Sequence, residues 1–308
     1  MSDKKIALVQ GGMGAEREVS LSTGKAFAQA LTDLNYNYVV IDAKEDLPVR
    51  LFEEKPSVAL LALHGKYAED GVVQGICEYL KIPYTGSGVL ASSLCMNKIF
   101  CKQILIQNKI PTSPFQVLRK SQIDLVVQQI ELKLPFVVKP SREGSSVGVH
   151  ICKDSSQVSA AVEDAFLYDS EILIEKFLDG KELTVAVVDG KAMTPIEIEP
   201  KTDFYNYENK YTAGKTEYHL PARIEEAKLS ELKSLAEQIY RQFNIRSYCR
   251  VDFMSNSKGD LFCLEINTLP GCTPTSLVPK AARHDGLEFS ALIQKLVESA
   301  TLDYAGVK

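Results

Sequence analysis

Apolar positions in the first third of the chain switch between short runs and helical spacing. Lys5–Gln10 is a short apolar run that stops at Gly11-Gly12. Ala26, Phe27, Ala30, Leu31 and Leu34 then fall on one face of a helix. Tyr38–Ile41 and Val58–Leu63 read as further strands, Val73, Ile76, Cys77 and Leu80 as a helix, and Ile82–Tyr84 as another short strand. This strand–helix alternation predicts a parallel sheet covered on both faces. After Gly86-Ser87-Gly88, the stretch Val89–Asn108 has one helical pattern, which Pro111 and Pro114 stop. Phe115–Leu118, Pro135–Lys139, Gly148–Cys152 and Glu171–Phe177 are expected strands, with a helix near Val158–Leu167, which together predict an α+β middle part. Glu182–Val188 and Ala192–Ile198 flank Asp189-Gly190, a hairpin signal. A helix over Ile224–Phe243, two strands and closing helices complete the pattern. Glu199–His219 is polar, aromatic and long for a structureless connection; such loops are usually lids or disordered.

The two late strands carry the densest chemistry. Tyr248–Phe253 and Phe262–Asn267 are joined by a polar connection, so an antiparallel pair is expected. Side chains alternate along a strand, which puts Arg250 and Asp252 on one face and Val251 and Phe253 on the other. Glu265 and Asn267 likewise share a face opposite Leu264 and Ile266. Asp, Glu and Asn are hard oxygen donors, which suits Mg²⁺ carried with substrate phosphates. From spacing alone, a solvated sheet face with a surface ion pair fits equally well. The adjoining Thr268–Cys272 turn favours a ligand, because Gly271 lets backbone come close.

Two loops add to this. Lys139–Gly148 joins two strands with small residues and hydroxyls that can wrap phosphate oxygens, although a flexible polar hairpin would read the same. It is not GxxxxGK[ST]. Gly11–Arg17 follows the first strand, and Asp42 ends the second, as in a dinucleotide site; Arg17 stands where the third glycine belongs, so that fingerprint fails. Glu16 there would repel phosphate and attract an ammonium group. Among the four histidines only His64 draws notice, at the end of a strand where crevices of parallel sheets open.

Composition narrows the class. The chain has 308 residues, room for two or three domains, with 45% hydrophobic and 24% charged residues. Its net charge of −5 argues against a nucleic-acid coat, while leaving room for one cationic pocket. No apolar run reaches membrane-spanning length and the N-terminus lacks an export core, so no membrane association and a cytoplasmic location are expected. Seven cysteines without a CxxC pair fit reduced, buried thiols.

Taken together, Gly11–Ser20, Leu63–Gly71, Pro83–Gly88, Val138–Gly148, the Arg250/Asp252 strand, and Glu265–Gly271 leading to Ser276-Leu277 resemble the D-alanine–D-alanine ligases of the ATP-grasp superfamily, over nearly the whole chain. The resemblance implies an α/β chain, α+β in its central and C-terminal parts. A Rossmann-like parallel-sheet domain over 1–92 would precede two ATP-grasp subdomains, 93–183 and 184–308, the latter with a lid at 199–219. It implies ATP-driven joining of two D-alanines through an acyl phosphate, in a homodimer, with two Mg²⁺ ions for which Mn²⁺ can substitute. By resemblance, Asp252, Glu265 and Asn267 hold the metal, and Lys98, Lys139 and Lys210 neutralise the phosphates. Glu175, Lys176, Phe177 and Leu178 run beside adenine, Glu182 meets the ribose, and Leu264 and Phe204 complete the nucleotide site. Phe177 could equally be core, and Lys176 a solvated charge. Glu16 takes the first ammonium with His64 nearby, and Ser145 and Tyr211 link to Glu16. Arg250 and the Gly271 N–H form the oxyanion hole. Ser276 and Leu277 hold the second carboxylate, and Tyr205 contacts substrate or packs the lid. The pair Lys210-Tyr211 implies an amino acid as second substrate, and Leu269 and Cys272 depart from the family pattern beside the second-substrate pocket. Three other readings stay open: an ATP-grasp ligase for other substrates, a nucleotide-binding regulator without chemistry, and an NAD-dependent oxidoreductase.

Overall fold

The computed structural model describes residues 4–121, 123–201 and 216–306. Strand β1 (Lys5–Gln10) runs parallel between β2 (Asn37–Asp42) and β3 (Val58–Leu61), with Ile6 opposite both Tyr38 and Val58. Ile6–Val9 and all of β3 are buried, as a sheet covered on both faces requires. Helices α1 (Arg17–Asp33) and α3 (Val72–Leu80) match the apolar spacing. Helix α2 (Leu47–Glu54) was not expected; only Leu47 and Leu51 of it are buried, too few to make a pattern. The expected strand at Ile82–Tyr84 is corrected: Tyr84 makes only isolated bridges, to Ala59 and Thr301. Pro83 has no N–H to give to a ladder and offers only its carbonyl, 2.8 Å from the Ala59 N–H.

The single helix expected over Val89–Asn108 is also corrected. It is two helices, α4 (Val89–Met96) and α5 (Lys98–Gln107), bent by 101°. Asn97 leaves the helical region (φ −87°, ψ 102°), and its side-chain oxygen accepts from the Ile99 and Phe100 N–H groups at 3.0 and 3.3 Å. The Ser141 hydroxyl donates to the same oxygen at 3.0 Å. Apolar periodicity is blind to such a cap. Among the described residues no single helix is long and apolar enough to cross a membrane.

The middle sheet is antiparallel, ordered β4 (Phe115–Arg119), β7 (Glu171–Lys176), β5 (Phe136–Pro140), β6 (His150–Cys152). Helices α6 (Ile123–Val127) and α7 (Val158–Tyr168) cover it, the first unforeseen because it is barely more than a turn. The last sheet comprises β8 (Glu182–Val188), β9 (Lys191–Ala192), β10 (Ile196–Pro200), β11 (Thr216–His219), β12 (Tyr248–Ser255) and β13 (Leu261–Asn267). Its order is β11-β10-β8-β12-β13, with β9 on β8. The hairpin at Asp189-Gly190 forms as expected, both residues at positive φ (49° and 75°). Helix α8 (Glu226–Gln242) follows β11, and α9 (Leu277–His284) and α10 (Phe289–Glu298) close the chain.

One apolar cluster joins Ile6, Leu8 and Leu60 of the parallel sheet to Val278 and Ala281 of α9 and Leu292 and Ile293 of α10. The Phe27 and Phe289 rings meet there, centroids 6.5 Å apart. A second joins Cys101 and Leu105 of α5 to Val185, Val251, Phe253 and Cys263. All seven cysteines are buried free thiols. At the base of β10, buried Glu197 accepts from the Arg223 side chain at 2.8 and 3.1 Å, from its backbone N–H at 2.9 Å, and meets Lys181 at 3.0 Å. Burial raises the Glu197 pKa, but Arg223 and Lys181 outweigh it and hold it at about 2.

Asn97→Ala is expected to lower stability by about 1 kcal/mol. Urea unfolding with an unchanged slope checks this, and an unmoved midpoint would show that the cap contributes nothing. The folded-state pKa of Glu197 lies below its ordinary 4.5. Its contribution is therefore complete above the ordinary value and is lost as pH falls towards the folded one. Glu197→Gln should flatten the acid limb: between about pH 5 and about pH 3 the variant loses less unfolding free energy than the parent. Identical slopes would contradict the assignment.

Candidate active site

A cleft of about 1420 Å³ is lined by the loops after β1 and β3, by β5, β7 and the loop between β5 and β6, and by β8, β12 and β13. Every candidate residue among those described lines it. Glu16 stands at the start of α1, His64 just after β3, and Lys98 at the first position of α5. Lys139 lies on β5 and Ser145 in the loop that follows. Glu175 and Lys176 end β7, followed by Phe177 and Leu178, and Glu182 opens β8. Phe177 is thus a half-buried cleft residue rather than core, and Lys176, exposed at the end of β7, lines the cleft as well. Phe204, Tyr205, Lys210 and Tyr211 lie outside the described residues.

Strand β12 sets Arg250 opposite Asn267 and Asp252 opposite Glu265, as side-chain alternation predicted. The register then slips between Asp252 and Phe253, because Phe253 faces Cys263 and leaves Leu264 as the extra residue of a bulge. Strict alternation put Leu264 on the apolar face; the bulge instead lets Leu264 and Glu265 both line the cleft. Asp252 is buried, and Arg250 donates to both its oxygens, at 2.8 and 2.7 Å. Asn267 donates to it at 3.0 Å and the Thr184 hydroxyl at 2.6 Å. Thr184 lies directly opposite Asp252 on β8, a partner that sequence reasoning missed because strand order is not written in either strand. Lys98 reaches Glu265 at 3.5 Å and donates to the Glu143 carbonyl at 2.6 Å. Hard oxygens gathered on one face and already drawing cations fit a Mg²⁺ site.

At the other end, the Ser145 hydroxyl donates to Glu16. Ser145 and Ser146 both adopt positive φ, 51° and 62°. Gly65 packs so closely that a Cβ there would come within 2.6 Å of the Glu16 carboxylate. Lys66 pairs with Glu143, so the β5–β6 loop is held to the N-terminal part at two points. His64 lines the cleft, but both ring nitrogens are engaged inside the protein. Nδ1 lies 2.7 Å from the Leu269 carbonyl, which can only accept, so Nδ1 carries the proton and Nε2 accepts from Thr23 at 2.9 Å. Burial pushes the His64 pKa down and keeps the ring neutral. Its neighbour Glu69, also missed from sequence, accepts the Gly65 N–H at 3.0 Å, and burial beside Glu16 pushes it up to about 8.

Glu175 is buried and bound on three sides, by Lys139, Lys102 and the Ser113 hydroxyl. Burial raises its pKa, and the two lysines outweigh that and hold it at about 2. Ser276 stands at the N-cap position of α9, its hydroxyl accepting the Thr273 N–H at 3.0 Å rather than a helical N–H, with Leu277 as the first helical residue, a site suited to an anion. Leu269 and Cys272, which flank Gly271, are buried in the apolar cluster behind the cleft, while Pro270 and Gly271 line it. Arg17 donates to both oxygens of Asp42, at 2.7 Å each. The acidic residue that a dinucleotide site would use on its ribose is therefore already taken.

The family model described as D-ala D-ala ligase C-terminus matches residues 104–298. The D-alanine–D-alanine ligase of Citrifermentans bemidjiense is 48% identical over 98% of this chain and 98% of its own. The ligase of Syntrophotalea carbinolica is 45% identical, again over 98% of both. The solved D-alanine–D-alanine ligase of Bacillus anthracis complexed with ATP superposes with a TM-score of 0.81 at 33% identity, covering 96% of this chain and 97% of that one. The VanG D-Ala:D-Ser ligase of Enterococcus faecalis gives 0.83 at 27% identity, covering 96% and 99%. By sequence and by architecture, this chain belongs to the D-alanine–D-alanine ligase family.

Proposed function

We propose that this chain joins two D-alanines into D-alanyl-D-alanine with ATP, through an acyl phosphate, releasing ADP and phosphate for peptidoglycan precursor synthesis. The carrying observation is that one cleft gathers the Glu16 carboxylate, the Lys98 and Lys139 ammonium groups, a hard-oxygen face and a helix N-terminus.

Each demand of the reaction has a group to meet it. The first D-alanine's carboxylate must approach the γ-phosphate, so two anions meet and cations must screen them. Lys98 and Lys139 serve there, with Lys210 from the lid. Asp252, Glu265 and Asn267 would hold two Mg²⁺ ions, or Mn²⁺, which spread the phosphate charge when bound. Glu16, fixed by Ser145, takes the first ammonium. His64 holds the loop that carries Gly271, through the Leu269 carbonyl. Arg250 and the Gly271 N–H face the oxyanion of the tetrahedral intermediate. The α9 N-terminus at Ser276-Leu277 receives the second carboxylate. Lys176, Phe177 and Leu178 run beside adenine, with Glu182 on the ribose and Leu264 against the base. The Glu175 carboxylate is committed to lysines, so its share in adenine binding falls to backbone. Water must be kept from the acyl phosphate, the role that the resemblance gives to Tyr205 and its segment.

We read the chain as a cytoplasmic homodimer; seven buried free thiols and exposed Phe52 and Tyr79 support this.

Phosphate release should require ATP, Mg²⁺ and D-alanine together and stop with EDTA. Release with other amino or hydroxy acids but none with D-alanine would overturn the substrate assignment. Arg250→Ala should cut kcat by about 10²–10³, the usual loss of one oxyanion donor, with much less effect on ATP affinity. Near-normal turnover would remove Arg250 from that role.

A further inference from the structure

Lys102 is fully buried and does not line the cleft. It sits one turn after Lys98 on α5, on the same face but deeper. Its ammonium donates to the Thr112 hydroxyl at 2.5 Å and to the Ser113 carbonyl and hydroxyl at 3.3 Å each, and it pairs with Glu175. The Phe115 ring lies 5.3 Å away. An isolated buried lysine is costly, so it needs a partner. The partner, however, also holds Lys139, which does line the cleft.

The charges decide what this does. Glu175 alone with Lys139 would be a neutral pair, and the floor of the cleft would offer an anion little. With Lys102 behind it, the group of two lysines and one carboxylate carries a net positive charge, and only Lys139 and Glu175 face the cleft. We propose that Lys102 is a positioning residue for nucleotide binding: by sharing Glu175 from behind, it leaves Lys139 held in place yet with its charge available to phosphate. The proposal rests on the reading of Lys139 as a phosphate-binding residue. Lys102 itself touches no substrate.

The test measures ATP and ADP dissociation constants by calorimetry on the full chain, alongside kcat and the KM for D-alanine. Lys102→Met should weaken both nucleotides about tenfold, the order expected for deleting one nearby buried charge. At saturating ATP, kcat and the KM for D-alanine should move far less. The double variant Lys102→Met/Glu175→Gln removes one cation and one anion, so the net charge returns to that of the parent. Its ATP affinity should recover to within about threefold of the parent, since one unpaired charge is no longer added or lost. A merely structural role for Lys102 predicts no such recovery. Should Lys102→Met fold poorly, Lys102→Gln, which removes the charge but keeps a polar group for Thr112 and Ser113, makes the same measurement. Lys139→Met separates the two ideas. If it leaves ATP binding unchanged, the phosphate reading of Lys139 falls and the proposal with it. If Lys139→Met weakens ATP while Lys102→Met does not, or if the double variant stays weak, the positioning role is wrong and the Lys139 reading stands.

Discussion

The site depends on β12 being held in register from both sides. On one edge Asp252 faces Thr184 of β8, and on the other it faces Glu265 of β13. A slip of one residue would turn every side chain of β12 over. Asp252 would then enter the apolar cluster, and Val251 and Phe253 the cleft. The burial of Val251 and Phe253 is therefore what fixes the carboxylate in place. Packing on one face of the sheet positions the chemistry on the other.

Around that sheet the protein gathers charges that would otherwise repel one another or be stranded without water. It manages them in two ways. Some are matched, as Asp252 is by Arg250 and Glu175 by its lysines. Others are discharged, as burial does for His64 and Glu69 beside Glu16. The result is a cleft with ionised groups where substrates are proposed to need them and neutral ones set among them. An average charge of −5 says nothing of this arrangement.

Much of the fold was legible because its elements repeat with their own periods. The parallel strands, α1, α3 and α8, the Asp189-Gly190 hairpin and the late strand pair all follow from local spacing. The misses have physical causes. The break at Asn97 is made by a cap and not by apolar residues, so one helix was expected where two stand. Pro83 reduced an expected strand to a bridge. The bulge at Leu264 breaks the alternation that had placed that residue in the core. For the site, residues with chemistry in their own motif were visible, and the geometry brings the described ones to one cleft. Those that act through partners distant in sequence were not. Thr184, Glu69 and Lys102 look ordinary until the chain is folded, because their meaning lies in what they touch.

The apolar cluster that joins the parallel sheet to α9 and α10 also bears on how the chain is made. The first strands leave the ribosome long before the helices that cover one side of them. At roughly 5–20 residues per second, that interval is on the order of ten seconds or more. Throughout it the apolar face against which Leu292 and Ile293 finally pack has no native cover. The amino-terminal part of the molecule is thus completed by helices synthesised long after it. A nascent fragment that stops short of α9 holds the beginnings of a sheet without the core that would keep it folded.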